Sequence, residues 1–374
     1  MAGIYIHIPF CKKACNYCNF HFSVNKQLIP QMTDAILTEA RLRKDYLNEP
    51  VETIYFGGGT PSLLSAEQVN RILLGISNYF TVSNEAEITL EANPDDITPS
   101  KLQEWKAAGI NRLSIGIQSF LEADLVWMGR AHNAEQAFHC IGLAQAAGFN
   151  NLSIDLIYGG PTLSHEHWKQ NLQTAIQLKI PHLSCYALTV EPKTILAKKI
   201  NNRQLEEVDP EKQAVHFNML MESTGASGYE HYEISNFALA GYRSRHNSSY
   251  WSGSHYLGLG PAAHSFNGTS RQWNIANNSL YISSLYQENI PAECETLTTE
   301  QRVNEYIMTA LRTSEGLNLK RLAKIGNEAI AVKVLEEAGK FIARGTLIHS
   351  GDFLVIPPKG KFYADGIAAE LFQL

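Results

Sequence analysis

Short apolar runs alternate with longer amphipathic stretches through the first half of the chain. The runs have the length of strands, and the stretches between them repeat apolar residues at helical spacing. The predicted strands are Ile4–Ile8, Thr53–Phe56, Glu87–Glu91, Leu113–Ile117, Leu152–Ile157 and His182–Ala187. The predicted helices are Pro30–Asp45, Ala66–Phe80, Pro99–Ala107, Ala134–Ala147 and Glu166–Gln177. Consecutive β/α units require a parallel sheet covered by helices, so we predict an α/β fold. Six such units favour an open, partial (β/α)6 barrel, and a doubly wound sheet remains an alternative.

The regular alternation stops after Val190. A predicted helix, Pro210–Ser223, precedes an aromatic, glycine-rich region from Tyr229 to Trp273. Further on, the pattern predicts short helices and a hairpin, at Gln301–Arg312, Leu319–Ile325, Ile330–Ala338 and Leu347–Ile356. We therefore predict three parts. Residues 1–275 form the barrel with an extension, 276–299 a connector with one helix, and 300–374 a small helical, winged-helix-like domain with a terminal β-ribbon.

Composition and charge restrict the class of protein. The 374 residues are 44% hydrophobic and 18% charged, which is ordinary for a globular chain. A formal net charge of −6 and the lack of a long basic run argue against nucleic acid as a partner. No apolar run reaches the ~20 residues of a membrane span, and the first residues do not resemble a signal peptide. We expect a cytoplasmic protein whose cysteines stay reduced.

Three of the six cysteines follow the first predicted strand, at Cys11, Cys15 and Cys18. Ligands bind at the carboxyl ends of the strands in parallel α/β folds, so this loop is a candidate metal site. Three thiolates on a [4Fe–4S] cube leave one iron free for a ligand that is not protein. A zinc site completed by His7 or His21 is the alternative, but zinc loops usually pair two C-x2-C motifs and no second pair is present.

Glycines follow the second predicted strand in the stretch TIYFGGGTP. Because these residues lack side chains, the backbone N–H groups of Gly57, Gly58 and Gly59 can approach a small polar ligand closely. A dinucleotide-binding turn is excluded here because Ser62 stands where G-x-G-x-x-G requires its last glycine.

Polar side chains also close three later strands. Glu91, Gln118 and Asp155 lie at strand ends, where carboxylates suit ribose hydroxyls and an amide both donates and accepts. Arg130, in the stretch MGRAHN, offers a cation for a ligand carboxylate. One such group alone could equally be part of a surface salt bridge or a helix cap. Polar groups at several successive strand ends favour a shared binding site.

The spacing C-x3-C-x2-C, with an aromatic residue at Tyr17, resembles the radical S-adenosylmethionine enzymes. The resemblance is closer to the oxygen-independent coproporphyrinogen III oxidase family, and it rests on YIHIPFCKKACNYC, YFGGGTPS, EANPDD, RLSIGIQSF, MGRAHN, NLSIDLIYGGP and MTALRTSEGL. It implies a [4Fe–4S] cluster on Cys11, Cys15 and Cys18. It also implies S-adenosylmethionine contacts from Tyr5, Gly58, Gly59, Thr60, Glu91, Gln118, Arg130, Asp155 and Ala187, with Tyr17 at the border of that site.

Two departures separate the chain from the true oxidases. Those enzymes carry a fourth cysteine where this chain has Phe20, and a longer segment ahead of the cluster, where this chain has ten residues before Cys11. Both departures are typical of the haem chaperone (HemW) branch of the family. That branch also carries H-N-x-x-Y-W, which is present as His246, Asn247, Tyr250 and Trp251.

The resemblance implies that haem is bound cargo with His246 as its iron ligand. Histidine is a common axial ligand of haem iron, and aromatic rings cover a porphyrin face well. Arg243 and Arg245 are candidates for the propionates. A structural role for His246 is the alternative, and His255 and His264 lie close by in the sequence.

The function implied is therefore a haem chaperone that carries a [4Fe–4S] cluster and S-adenosylmethionine and delivers haem to haem proteins. No catalytic residue is assigned. The alternative is the oxidase itself, which decarboxylates coproporphyrinogen III by radical chemistry. The partners implied are haem, recipient haem proteins including membrane-bound ones met transiently, and an electron donor if the cluster is redox active. The chain is expected to be a monomer or a cluster-dependent homodimer.

Overall fold

The computed structural model describes residues 2–373. The strands are β1 Ala2–Ile8, β2 Val51–Gly58, β3 Val82–Ala92, β4 Arg112–Gln118, β5 Leu152–Tyr158, β6 His182–Ala187, β7 Glu230–Glu233, β8 Asn236–Ala238, β9 His255–Leu259, β10 His264–Phe266, β11 Ser270–Asn274, β12 Ala292–Thr296, β13 Leu317–Asn318, β14 Ile348–Ser350 and β15 Phe353–Val355. The α-helices are α1 Ile29–Leu42, α2 Ala66–Tyr79, α3 Pro99–Ala107, α4 Glu122–Met128, α5 Ala134–Ala146, α6 His165–Gln177, α7 Ile195–Asn201, α8 Pro210–Ala226, α9 Arg245–Ser252, α10 Asn278–Tyr286, α11 Thr299–Leu311, α12 Leu319–Ile325, α13 Glu328–Ala343 and α14 Ala364–Glu370.

Strands β1 to β6 lie side by side in chain order, and each pairs in parallel with the next. A doubly wound sheet reverses its strand order at a switch point, whereas this order runs on without reversal. β9 adds in parallel to β1, and β8 adds antiparallel to β6. The sheet ends on β12 at one edge and β7 at the other. The predicted partial (β/α)6 barrel is confirmed.

Alternation along β1 separates the apolar core from the polar interior of the barrel. Ile4, Ile6 and Ile8 are buried in the large hydrophobic core that the outer helices share. Successive side chains of a strand point to opposite faces, so Tyr5 and His7 lie on the interior face. The polar candidate residues of the other strands lie on this interior face as well, which is why the barrel has a polar lumen inside an apolar layer.

Local capping fixes where the outer helices begin. Asn133, in the stretch MGRAHN, caps α5, and its side chain and that of Gln136 form a reciprocal capping box. Ser65 and Gln68 form the same box at the start of α2. Each cap contributes about 1 kcal/mol, and each sets the length of the strand-to-helix loop before it.

The C-terminal part has its own hydrophobic core, built on α11, α13 and the hairpin of β14 and β15. The order is helix, short strand, two helices, then hairpin, which is the winged-helix order that we predicted. Helix α14 follows the hairpin and was not predicted. Its Ile367 and Leu371 pack into the same core.

Residues 276–299, predicted to form a connector, contribute to the larger body. β12 extends the large sheet by pairing with β11, and Tyr281 of α10 is fully buried in the main core. The limits 1–275, 276–299 and 300–374 stay a prediction. Among residues 2–373, no helix has the length and apolar character that crossing a membrane requires.

Candidate functional site

The cysteine loop leaves β1 at the carboxyl end of the strand and is held from three sides. The Cys11 N–H donates to Ser23 O at 3.0 Å, which closes the base of the loop. At its tip, the Asn16 N–H donates to Met128 O at 3.0 Å. The Asn16 carbonyl in turn accepts from the Leu196 N–H at 2.8 Å. Helices α4 and α7, which were not predicted, therefore fix this loop.

The three thiols lie in one partly exposed environment. Burial raises the pKa of Cys11 to about 11, and nearby Cys18 and Cys15 add to the rise, so the three sulfurs act on one another. Thr60 Oγ1 donates to Cys11 Sγ at 3.5 Å, and Arg130 Nη1 donates to Cys15 Sγ at 3.3 Å. Three mutually close thiols with a cationic donor fit an iron–sulfur cluster, whose anionic sulfurs accept such hydrogen bonds.

The histidines considered for a zinc site are already engaged. His7 Nε2 lies 2.9 Å from His21 O, and His7 Nδ1 lies 3.2 Å from the Tyr5 hydroxyl. His21 Nε2 lies 2.7 Å from Asn278 Oδ1. Within residues 2–373, no three His, Cys, Asp or Glu side chains converge as ligands of one metal ion would.

The glycines at the carboxyl end of β2 let two strand ends approach closely. A Cβ on Gly59 would lie 2.6 Å from Phe10 O, and Gly58 has a φ of +106°. The Gly59 N–H donates to Ile8 O at 2.9 Å, so this donor is used inside the protein. The Gly59 N–H is therefore not available to a ligand, and an N–H donor would not in any case serve a ligand ammonium, which needs acceptors.

Two carboxyls meet inside the barrel with raised pKa values. Burial raises the pKa of Glu91 to about 8, and the neighbouring Asp155 adds to the rise. Burial also raises the pKa of Asp155 to about 6, although hydrogen bonds with Ser184 and Ser114 act to lower it. Hydroxyl donors from a ribose would stabilise the ionised forms of both groups.

Arg130 connects the cluster loop to two strand ends. Its Nη2 donates to Asn93 Oδ1 at 2.7 Å and to Gly116 O at 2.9 Å. Burial opposes the charge, but Tyr17 and Cys15 hold the pKa of Arg130 above its ordinary value. Arg130 therefore stays cationic beside the cysteines.

The other predicted residues lie at the same end of the sheet. Gln118 closes β4 with a φ of 65°. Its amide and the Arg130 guanidinium both crowd Gly116, where a Cβ would lie 2.9 Å from Gln118 Nε2 and 3.2 Å from Arg130 Nη2. Tyr17 packs beside Met128 and Leu196, and Ala187 closes β6. The structure thus brings the cysteines, glycines, carboxyls and Arg130 to one mouth of the barrel.

Three polar residues in and beside the barrel interior were not predicted. Tyr55 donates to Glu91, and Asn93 joins Arg130 to Thr60 Oγ1, which its Nδ2 reaches at 3.2 Å. Arg112 is 1% exposed, with Glu87 at 4.0 Å, and its guanidinium makes no hydrogen bond within the described part of the chain. Strand alternation places Tyr55 inward, two residues before Gly57. Arg112, at the start of its strand, carries no comparable signal.

His246 lies at the opposite end of the barrel from the cysteines. Its Nδ1 is 2.8 Å from Thr53 Oγ1, its Nε2 is 2.9 Å from the Tyr250 hydroxyl, and its ring stacks on Tyr55 at 4.9 Å. The side chain is 0% exposed, and burial lowers its pKa to about 3. Glu87 accepts from the His246 N–H at 3.0 Å, which anchors α9 across the strand starts. Both ring nitrogens are thus engaged inside the protein.

The arginines predicted to bind propionates are also paired. Arg243 binds Glu230 at 2.9 Å and Glu315 at 2.6 Å, and Arg245 binds Glu52. The two further histidine candidates lie near the surface. His255 is 3.3 Å from a carboxylate oxygen of Glu49, and His264 is exposed on β10.

Two family models match separate parts of the chain. Residues 5–175 match the Radical SAM superfamily, and residues 297–363 match the HemN C-terminal domain. The Bacillus subtilis (strain 168) protein named heme chaperone HemW is 35% identical and covers 98% of both chains. The Escherichia coli (strain K12) protein of that name is 36% identical over 99% of this chain and 97% of its own.

A solved structure matches the whole fold. Coproporphyrinogen III oxidase (HemN) from Escherichia coli, described as a radical SAM enzyme, superposes with a TM-score of 0.85. The match covers 100% of this chain and 90% of that one, at 22% identity, which shows a shared fold and no more. A radical SAM fold implies a [4Fe–4S] cluster and S-adenosylmethionine. From its full-length similarity to these relatives, the chain belongs to the family of heme chaperone HemW proteins.

Proposed function

We propose that this protein binds haem and delivers it to haem proteins. The observation that carries the proposal is the 35% to 36% identity, over nearly the full length, with relatives named heme chaperone HemW. Phe20, which is 67% exposed, supports it because it stands where the oxidase family has a fourth cysteine. We propose the cytoplasm as the place of action, since the cysteines are free thiols.

In this proposal, the mouth of the barrel holds the cluster and S-adenosylmethionine. Cys11, Cys15 and Cys18 bind the cluster, while Arg130 and Thr60 donate to the sulfurs of Cys15 and Cys11. Together, cluster and S-adenosylmethionine supply one-electron radical chemistry when both are bound. Here we assign them the role of biasing folding, dimerisation or haem release, because a bound group stabilises the conformation that completes its site.

The interior residues are proposed to hold S-adenosylmethionine by its polar groups. Glu91 and Asp155 accept from ribose hydroxyls, and carbonyls near Gly58 and Gly59 accept from the amino group. The proposed contacts are completed by Tyr5, Thr60, Gln118, Arg130 and Ala187, with Tyr17 at the border of the site. Tyr55 keeps the Glu91 carboxyl in place by donating to it at 2.8 Å.

His246 enters the proposal as an iron ligand under one condition. Both of its ring nitrogens are hydrogen-bonded and the side chain is fully buried, so α9 must leave the strand starts before iron can bind there. Neutral imidazole is the ligating form. Burial lowers the pKa of His246 to about 3 and keeps the ring neutral as long as α9 covers the strand starts.

The test is anaerobic reconstitution with iron and sulfide, followed by two assays on one sample. Haem is titrated in the Soret band, and coproporphyrinogen III is offered with S-adenosylmethionine and a strong reductant. We expect stoichiometric haem binding without porphyrinogen turnover. Decarboxylation without haem binding would assign the chain to the oxidases instead.

A further inference from the structure

An open cleft separates α9 from the C-terminal domain, on the side of α9 that faces away from the barrel. It encloses about 720 Å³, within the range of roughly 300–1,000 Å³ that small-molecule sites span. Trp251 and Ser248 line it from α9, and Tyr306, Lys324 and Phe353 line it from the C-terminal domain. Two sequence stretches that the cluster chemistry does not use, RHNSSYW and MTALRTSEGL, therefore meet across this cleft.

The walls of the cleft present aromatic rings and an unused donor. The Arg312 guanidinium lies 5.3 Å from the centre of the Trp251 ring, which fixes the orientation of the indole. Trp251 Nε1 is buried and has no hydrogen-bond partner in the part of the chain that the structure describes. Such a donor is costly to bury unless a ligand acceptor reaches it. Tyr306 and the 39% exposed Phe353 extend the apolar surface.

The polar lining of the cleft is mainly cationic. Lys320 and Lys324 are one helical turn apart on α12, and both line the cleft. Lys320 pairs with Asp352 at 2.6 Å, whereas Lys324 makes no hydrogen bond or ion pair within residues 2–373. Glu315 is the acid of the lining, and Arg243 neutralises it at 2.6 Å. The positive charge of the lining therefore suits an anionic ligand, and its aromatic rings suit a flat one.

We propose that this cleft seats the haem, with the ring against Trp251 and a propionate at Lys324. The inference rests on the proposed function and names the place where the cargo is held. Among the described residues that line the cleft there is no His, Cys or Met, so the seat acts on the ring and its carboxylates. It therefore takes metal-free porphyrin as well, and ligation of haem iron by His246 is a separate step that requires α9 to leave the strand starts.

The test compares Lys324→Glu with Lys169→Glu, the same charge change at an exposed lysine on α6. Each full-length protein is titrated with haem, with metal-free protoporphyrin and with protoporphyrin dimethyl ester, which lacks free carboxylates. Lys324→Glu is expected to weaken haem and protoporphyrin by the same factor, about fivefold. It should leave the ester unaffected, and Lys169→Glu should change none of the three. Added salt should reduce the difference between the variants.

The possible outcomes distinguish a failure of the proposed haem seat from a failure of the proposed chaperone function. If the wild type binds haem and Lys324→Glu binds it with the same affinity, the proposed seat is overturned and the chaperone function stays intact. Equal losses for the free acid and the ester overturn it as well, because the lysine would then act without a carboxylate partner. A change of oligomeric state in Lys324→Glu would make the cleft a contact between copies of the chain. Failure of the wild type to bind any porphyrin overturns both proposals.

Discussion

The Tyr55 hydroxyl donates a hydrogen bond to Glu91 Oε1 at 2.8 Å. The ring of the same tyrosine stacks on His246, with centroids 4.9 Å apart. One side chain therefore contacts both the carboxyl assigned to S-adenosylmethionine and the motif histidine of α9. Several expectations depend on this contact and on the residues around it.

Tyr55→Phe is expected to weaken S-adenosylmethionine binding about tenfold, since a hydrogen bond to a charged group is lost. The donor lowers the pKa of Glu91, so its loss leaves more of this carboxyl protonated. Equilibrium dialysis of the reconstituted protein, kept anaerobic, measures the affinity. Tyr79→Phe, the same change at the 37% exposed Tyr79 of α2, is the control. Equal affinities in wild type and Tyr55→Phe would remove Glu91 from the binding site.

The pH dependence of stability follows from the raised pKa of Glu91. The folded pKa of about 8 exceeds the ordinary value of 4.5, so the folded state holds the proton more tightly. The stability associated with the neutral carboxyl is therefore full below pH 4.5 and is lost as the pH rises towards about 8. Urea unfolding of the cluster-free protein at several pH values in this window measures it. Glu91→Gln should flatten the dependence, and an unchanged slope in that variant would assign it to other groups.

His246→Gln tests the proposed iron ligation without emptying the site, because glutamine retains hydrogen-bonding groups towards Thr53 and Tyr250. Haem is expected to lose about tenfold in affinity, with a shifted Soret band, since one iron ligand is removed. Metal-free protoporphyrin should bind as it does to the wild type. A variant with an unaltered haem affinity and Soret band would give His246 a structural role alone.

Cys15→Ala is expected to abolish the cluster and to leave porphyrin binding unchanged. The cysteine loop follows the carboxyl end of β1, while α9 contacts the starts of the strands through Thr53 and Glu87. Iron and sulfide content and porphyrin titration are measured on one preparation. Cys294→Ala, at the exposed cysteine of β12, is the control and should retain full iron. Loss of porphyrin binding together with the cluster would mean that the two sites form one unit.

The barrel was predictable because its strands follow a local rule. β6 was predicted with its observed limits, His182–Ala187, and β5 with its observed start, because apolar runs in parallel strands are buried on both faces. The short helices α4, α7 and α9 were not predicted. They have seven or eight residues, and contacts elsewhere in the chain hold them. Length alone does not decide the outcome, because α12 also has seven residues and was predicted with its observed limits.

The candidate site was predicted unevenly for a similar reason. Cys11 and Glu91 were proposed because their positions at or just after a strand end are visible in the sequence. Asp155 was expected at a strand end as well, but it lies in the middle of β5. The burial of His246 was not, since it depends on Thr53 and Glu87, which are more than 150 residues away in the chain. Trp251 could be named from its motif, but the domain that faces it across the cleft could not.

Helix α9 has one side in the barrel and the other in the cleft. On one side, His246 touches Tyr55, which holds Glu91, and on the other side Trp251 forms a wall of the cleft. A single short element is thus common to both compartments. If S-adenosylmethionine shifts α9 and thereby changes porphyrin affinity by some factor, porphyrin must change S-adenosylmethionine affinity by that same factor. Measuring either affinity with and without the other ligand gives the coupling free energy between the two ends of the barrel.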